Sequence, residues 1–278
     1  MRPEQGAAMN STAEAGKGSV LYMSHGGGPM PLFGDPDHAK MINFMRSLSG
    51  KIEKPEAILV FSAHWEESVP TILGAANPPL LYDYYGFPDE AYSLKYALPG
   101  NPALAKRIHA MFSDAGIDSA IDTVRGFDHG VFVPLMLMHP EGTIPTIQIS
   151  LIKGLDPERH IAMGKALKEL LKENILVIGS GFSFHNMKVF SWNAGSIADT
   201  KNDLFQDSLI EYCTKLKSAN DIEAGLAGWE RLPAARYCHP REEHLLPLQV
   251  CFGLAQKPGA VVFDDYILGK RAVAFSWE

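Results

Sequence analysis

Three short apolar runs, each closely followed by a histidine, constrain this chain more than any other feature. Ser19 to Ser24 leads into His25-Gly26-Gly27-Gly28-Pro29, Ala57 to Ser62 into Ala63-His64-Trp65, and Ile175 to Gly179 into Ser180-Gly181 and then His185. Such runs, apolar without strict alternation, read as strands covered on both faces. Further strands are expected at 70–74, 119–124, 145–150, 260–264 and 272–277, the last at a sheet edge. Helices are expected between them, at 41–48, 102–115, 157–173, 199–216, 221–227 and 242–254. Pro102 suits a first helical turn, and Asp156 followed by Pro157 is an N-cap signal. Strands alternating with helices imply a single α/β domain over 19–278, with a central mixed, largely parallel sheet flanked by helices. Residues 1–18 are polar and rich in small side chains and read as a flexible N-terminal tail.

Composition narrows the partners. The 278 residues carry a net charge of −7 with no basic stripe, which argues against nucleic acid. No apolar run reaches the length of a membrane span. Three cysteines, Cys213, Cys238 and Cys251, form no C-x-x-C pair. An odd count argues against a disulfide framework and for a reducing, cytoplasmic setting. A homo-oligomer stays open.

The chemistry collects at the strand ends. Ligands of open α/β sheets bind in the crevice outside the carboxyl ends of the strands, so histidines carried there by different strands would converge. His25 reads either as a turn histidine or as a metal ligand whose glycines admit substrate. His64 reads either as a core histidine or as a second ligand. His129, in Phe127-Asp128-His129-Gly130, suits a contact with substrate or oxygen better than a ligand role. His185 suits a general base or a further ligand. His244 follows Glu242 and Glu243 near an expected helix start, where about 3.6 residues per turn let at most one of Glu243 and His244 face a metal. His239 could line the site, and His38, His109, His139 and His160 read as bystanders. Imidazole binds several metals. Neither Gly179-Ser180-Gly181 nor the glycines after His25 match a nucleophile elbow, a P-loop or a dinucleotide fingerprint.

Ser24-His25-Gly26-Gly27-Gly28-Pro29, Ser62-Ala63-His64-Trp65, Asp128-His129-Gly130, Gly179-Ser180-Gly181 with His185-Asn186, and Glu243-His244-Leu245-Leu246-Pro247-Leu248 together resemble the class III extradiol ring-cleavage dioxygenases, in their DOPA 4,5-dioxygenase-like branch. The resemblance covers nearly the whole chain beyond the tail. It implies a mixed α/β fold, one Fe(II) or Zn(II) per chain, and a small aromatic diol and O2 as reactants. It implies His25, His64 and His244 as metal ligands, with Glu243 the alternative third ligand. His185 becomes acid/base or a possible fourth ligand, and His129 an active-site histidine. Tyr82 to Phe87 and Phe182 to Phe184 read either as walls of the ring pocket or as ordinary core and loop aromatics. Two competing readings use the same residues: a zinc-dependent hydrolase and a non-catalytic metal-binding protein.

Overall fold

A computed structural model describes residues 18–190, 198–216 and 218–278; the expected tail falls almost wholly outside them. Eight strands form one sheet in the order β4-β3-β5-β2-β6-β1-β8-β7: β1 (Ser19–Ser24), β2 (Ala57–Glu67), β3 (Thr71–Leu73), β4 (Ala120–Asp122), β5 (Thr146–Ile152), β6 (Ile175–Gly181), β7 (Ala260–Ile267) and β8 (Lys270–Trp277). The centre is parallel: β5 pairs with β2, β2 with β6 and β6 with β1. An antiparallel hairpin, β8-β7, extends one side from β1, and β3 joins the other side antiparallel to β5. The edge beside the hairpin is therefore β7, not the last strand. The helices are α1 (Ala39–Leu48), α2 (Pro102–Asp114), α3 (His129–Met138), α4 (Pro157–Ala166), α5 (Thr200–Ile210), α6 (Ala219–Ala227), α7 (Ala235–Cys238) and α8 (Leu246–Ala255).

The apolar runs of β1, β2 and β6 are buried on both faces because a core lies on each side of the sheet. One layer packs Phe61, Ile147, Val177 and Phe275 against α4, α5 and α8. The other packs Val60, Ile178 and Met23 against α1 and α3. The expected Asp156 cap holds, its carboxylate accepting from Glu158 N and Arg159 N; Asn101, just ahead of Pro102, caps α2 as well by accepting from Leu104 N.

Several elements depart from expectation. Helix α3 has no counterpart among the expected elements; it is apolar on every face and carries Pro134 inside, so it shows no helical stripe. The expected helix 157–173 breaks at Leu167 into a 3-10 turn over Lys168–Lys172, and that at 199–216 passes from α5 into a π turn over Glu211–Lys215. The expected helix 242–254 begins only at Leu246, where Pro247 fixes the first turn and requires no N–H partner. Glu242, Glu243 and His244 thus stand in the approach to α8, and the helical argument that separated Glu243 from His244 does not apply to them. The three cysteines are free and buried, and no helix among the described residues is long and apolar enough to cross a membrane.

Candidate active site

The parallel strands bring their carboxyl ends to one side, and five segments carry the histidines of the site there. His25 follows β1, and its N–H donates to Gly181 O at 3.2 Å. The chain then turns through Gly26 at φ 85°, where a Cβ would strike Pro31, His38 and Met41. His64 lies inside β2, not beyond it. The pairing of β2 with β5 shifts register between Phe61 and Glu66, and such a bulge re-aims a side chain. His129 is the first residue of α3. His185 follows β6, its N–H donating to Cys238 O at 2.9 Å. His244 is held by its carbonyl, which accepts from Phe182 N at 2.9 Å and from Tyr22 Oη at 3.1 Å. That grip needs Gly181: a Cβ there would sit 2.1 Å from His244 O.

His25, His64 and His244 each offer a ligand atom, and these atoms lie within 4.8 Å of one another. The Nε2 atoms of His25 and His64 are 2.9 Å apart. Hydrogen bonds on the far side of two of the rings set their tautomers. Ser180 Oγ donates to Gly130 O and therefore accepts from His25 Nδ1 at 3.1 Å, which leaves His25 Nε2 with a lone pair. His244 Nδ1 donates to Glu243 Oε1 at 2.8 Å, which leaves its Nε2 likewise. Burial holds all three imidazoles well below the usual histidine range, and neighbouring imidazoles push each lower: His64 and His129 for His25, His129 for His64, His185 and His64 for His244. They are neutral at physiological pH and present lone pairs, as metal binding requires. Two buried nitrogens 2.9 Å apart need a shared proton or a shared cation. A third converging nitrogen favours the cation, and metal–nitrogen bonds of about 2.0–2.1 Å can reach both. The donor set fits a borderline transition metal.

His129 and His185 flank this cluster, each tied to a carboxylate. His129 Nδ1 and its backbone N–H both donate to Asp83 Oδ1, at 2.9 and 3.0 Å, and Asp83 Oδ2 lies 3.7 Å from His64 Nδ1. Burial pushes the Asp83 carboxyl up, but the hydrogen bond and charge of His129 outweigh it and hold it below the usual carboxylate range. His185 stacks on His244 with ring centres 3.4 Å apart and lies 3.1 Å from Glu243 Oε1 through Nδ1. Glu243 is likewise pushed up by burial and held down overall by His185 and Arg241. One Glu243 oxygen thus serves both His185 and His244, a carboxylate–histidine support of the kind that orients metal-bound imidazoles. Asp128, which stands beside His129 in the chain, turns away from its ring: it accepts from Ser62 Oγ at 2.7 Å, from Arg125 and from Gln148.

A cavity of about 320 Å³ opens onto these rings, lined by His25, His64, His129, His185 and His244, the Gly26–Gly28 turn and an apolar wall. The wall includes Tyr84, Tyr85, Phe87 and Phe182, whereas Tyr82 and Phe184 lie outside the lining. His239 does not reach the site; it is buried against Phe205 and Trp229, its Nε2 donating to Ser183 O. His38, His139 and His160 are buried rather than on polar surfaces. His38 Nε2 accepts from Gly27 N at 2.9 Å and so props the glycine turn. Asp83 escaped the sequence reading because a lone acid inside Tyr82-Asp83-Tyr84-Tyr85-Gly86 carries no pattern of its own.

Comparison with known proteins agrees with this geometry. Residues 19–275 match the model of the family described as the catalytic LigB subunit of aromatic ring-opening dioxygenase. A protein of Hapsidospora irregularis named dioxygenase tasH is 41% identical over 283 residues, covering 96% of this chain and 87% of its own. The 4,5-DOPA dioxygenase extradiol of Beta vulgaris is 37% identical, covering 85% and 86%, and that of Escherichia coli K12 33% identical, covering 91% and 92%. A crystal structure of an uncharacterised Escherichia coli K12 protein superposes with a TM-score of 0.76 at 25% identity, over 94% of this chain and 99% of that one. The eight-stranded mixed sheet, the gathered histidines and a family match running from β1 into β8 agree, and the chain belongs to the LigB family of aromatic ring-opening dioxygenases.

Proposed function

We propose that this chain opens a catechol-type ring with O2 beside the diol, and that His25, His64 and His244 hold one Fe(II) for that reaction. The observation that carries the reading is the convergence of three neutral imidazole donors at the inner end of a cavity walled by aromatic rings. Zinc(II) suits the same donors, but only a redox metal can engage O2. A bound ferrous ion would acidify the catechol hydroxyls and let electron density pass from the ring to dioxygen.

The remaining steps fall to the protein. With Nδ1 engaged by Glu243, His185 presents Nε2 as the nitrogen that takes the second hydroxyl proton and later returns it. With Nδ1 engaged by Asp83, His129 presents Nε2 to an oxygen of the reacting pair. Tyr84, Phe87 and Phe182 stack about the ring and keep water from it. In the overall reaction the carbon–carbon bond next to the diol breaks. The hydroxyl-bearing carbon of that bond becomes a carboxylate and its hydrogen-bearing neighbour an aldehyde. Both atoms of O2 enter the product, so no outside reductant is consumed.

Protein loaded with Fe(II) under argon and then given air and 4-methylcatechol is expected to consume one O2 per ring lost and to form a yellow muconic semialdehyde. Turnover without O2 would favour the hydrolase reading. Iron bound with no oxygen uptake on any catechol would favour a non-catalytic metal protein.

A further inference from the structure

The cavity that receives the ring carries no charge outside its imidazoles. Among the described residues its lining contains no Lys, Arg, Asp or Glu; beside the five histidines and three glycines it consists of Tyr84, Tyr85, Phe87, Phe182, Met187, Phe190 and Leu268. Several charged groups around the site are already paired. Asp83 and Glu243 hold His129, His185 and His244 from behind. Arg241 pairs with Glu66 and Glu243, Lys270 with Asp199 and Arg125 with Asp128. Lys188 follows Met187 in the chain but is exposed and outside the lining.

The apolar character continues outward. Tyr85 is 91% exposed and Met187 59% exposed, and both belong to the cavity lining. Apolar side chains thus line the opening as well as the interior. The space is also larger than one ring requires. A cavity of about 150 Å³ is enough to hold benzene, and this one has about 320 Å³.

We infer that the substrate is a catechol bearing a bulky, uncharged, apolar substituent, a second ring or branched alkyl group, and not one with an amino-acid side chain. The inference rests on the ring-opening reading of the site. The diol takes the imidazole end, and the substituent runs along Phe87, Phe182 and Phe190 toward Tyr85 and Met187. A zwitterionic side chain held along Phe87, Phe182 and Phe190 would lose part of its water and find no counter-charge in the lining, and an unpaired charge against apolar surface is costly.

The test is oxygen uptake by the full-length, iron-loaded protein on 4-tert-butylcatechol and 2,3-dihydroxybiphenyl against L-DOPA and 3,4-dihydroxyphenylacetate. The better apolar catechol is expected to exceed L-DOPA in kcat/KM at least about tenfold, chiefly through KM, the discrimination that roughly 1.4 kcal/mol provides. A margin below tenfold, or a preference for L-DOPA, overturns the inference and leaves the ring-opening reading standing. Absence of turnover on all four by protein with bound iron overturns both. Met187→Arg provides a second measure. Placing a cation at the rim is expected to raise the 3,4-dihydroxyphenylacetate to tert-butylcatechol ratio of kcat/KM, and an unchanged ratio would show that the substituent does not pass Met187.

Discussion

Replacing His64 with alanine is expected to empty the metal site. The purified variant should bind Fe(II) at least about 100-fold more weakly than the parent protein, more than the 10- to 100-fold typical of losing only a supporting partner. Ring-opening turnover should fall with it. His64 is the imidazole on which the others depend: its Nε2 lies 2.9 Å from that of His25, and its ring packs 3.9 Å from His129 and 4.9 Å from His244, centre to centre. Its position comes from the register shift in β2, so alanine leaves the strand in place and removes only the donor. Metal analysis of anaerobically loaded protein, with circular dichroism to verify the fold, reads the result. Full metal occupancy in the variant would count against the assignment.

His185→Ala is expected to separate metal from chemistry. Its ring is outside the close set formed by His25, His64 and His244; it stands in a second set with Glu243 and His244 and is paired to Glu243 through Nδ1. The variant should keep its iron and lose about 100- to 10,000-fold in kcat, the usual worth of a positioned proton-transfer group. The affinity for a catechol should change far less than kcat. Loss of iron from this variant would instead make His185 a fourth ligand.

Much of this site was readable in the sequence because the strands that carry it are short, apolar and punctuated. Ser19–Ser24 and Ile175–Gly181 have no alternative to burial on both faces, so the histidines after them fall at the sheet's carboxyl edge. The misreadings have equally definite causes. Helix α3 is apolar all round, so periodicity cannot reveal it, and the sequence alone assigns His129 to no element. The bulge that places His64 within β2 is a pairing irregularity with β5, and no single segment encodes it. The run from Glu242 onward reads as one helix, yet Pro247 delays its start and frees Glu243 and His244 to bond each other. Asp83 is far from His129 in sequence and meets it only because the aromatic loop folds over the strand ends.

The central claim is that one ion sits among three imidazoles from β1, β2 and the approach to α8. Iron-edge X-ray absorption on the Fe(II)-loaded protein, repeated on the His25→Ala, His64→Ala and His244→Ala variants, tests it most directly. A first shell containing three imidazole nitrogens in the parent, with this signature lost in each variant, is the predicted result. Iron retained with an unchanged imidazole shell in any of the three, or a parent shell built chiefly from carboxylate oxygen, would contradict it.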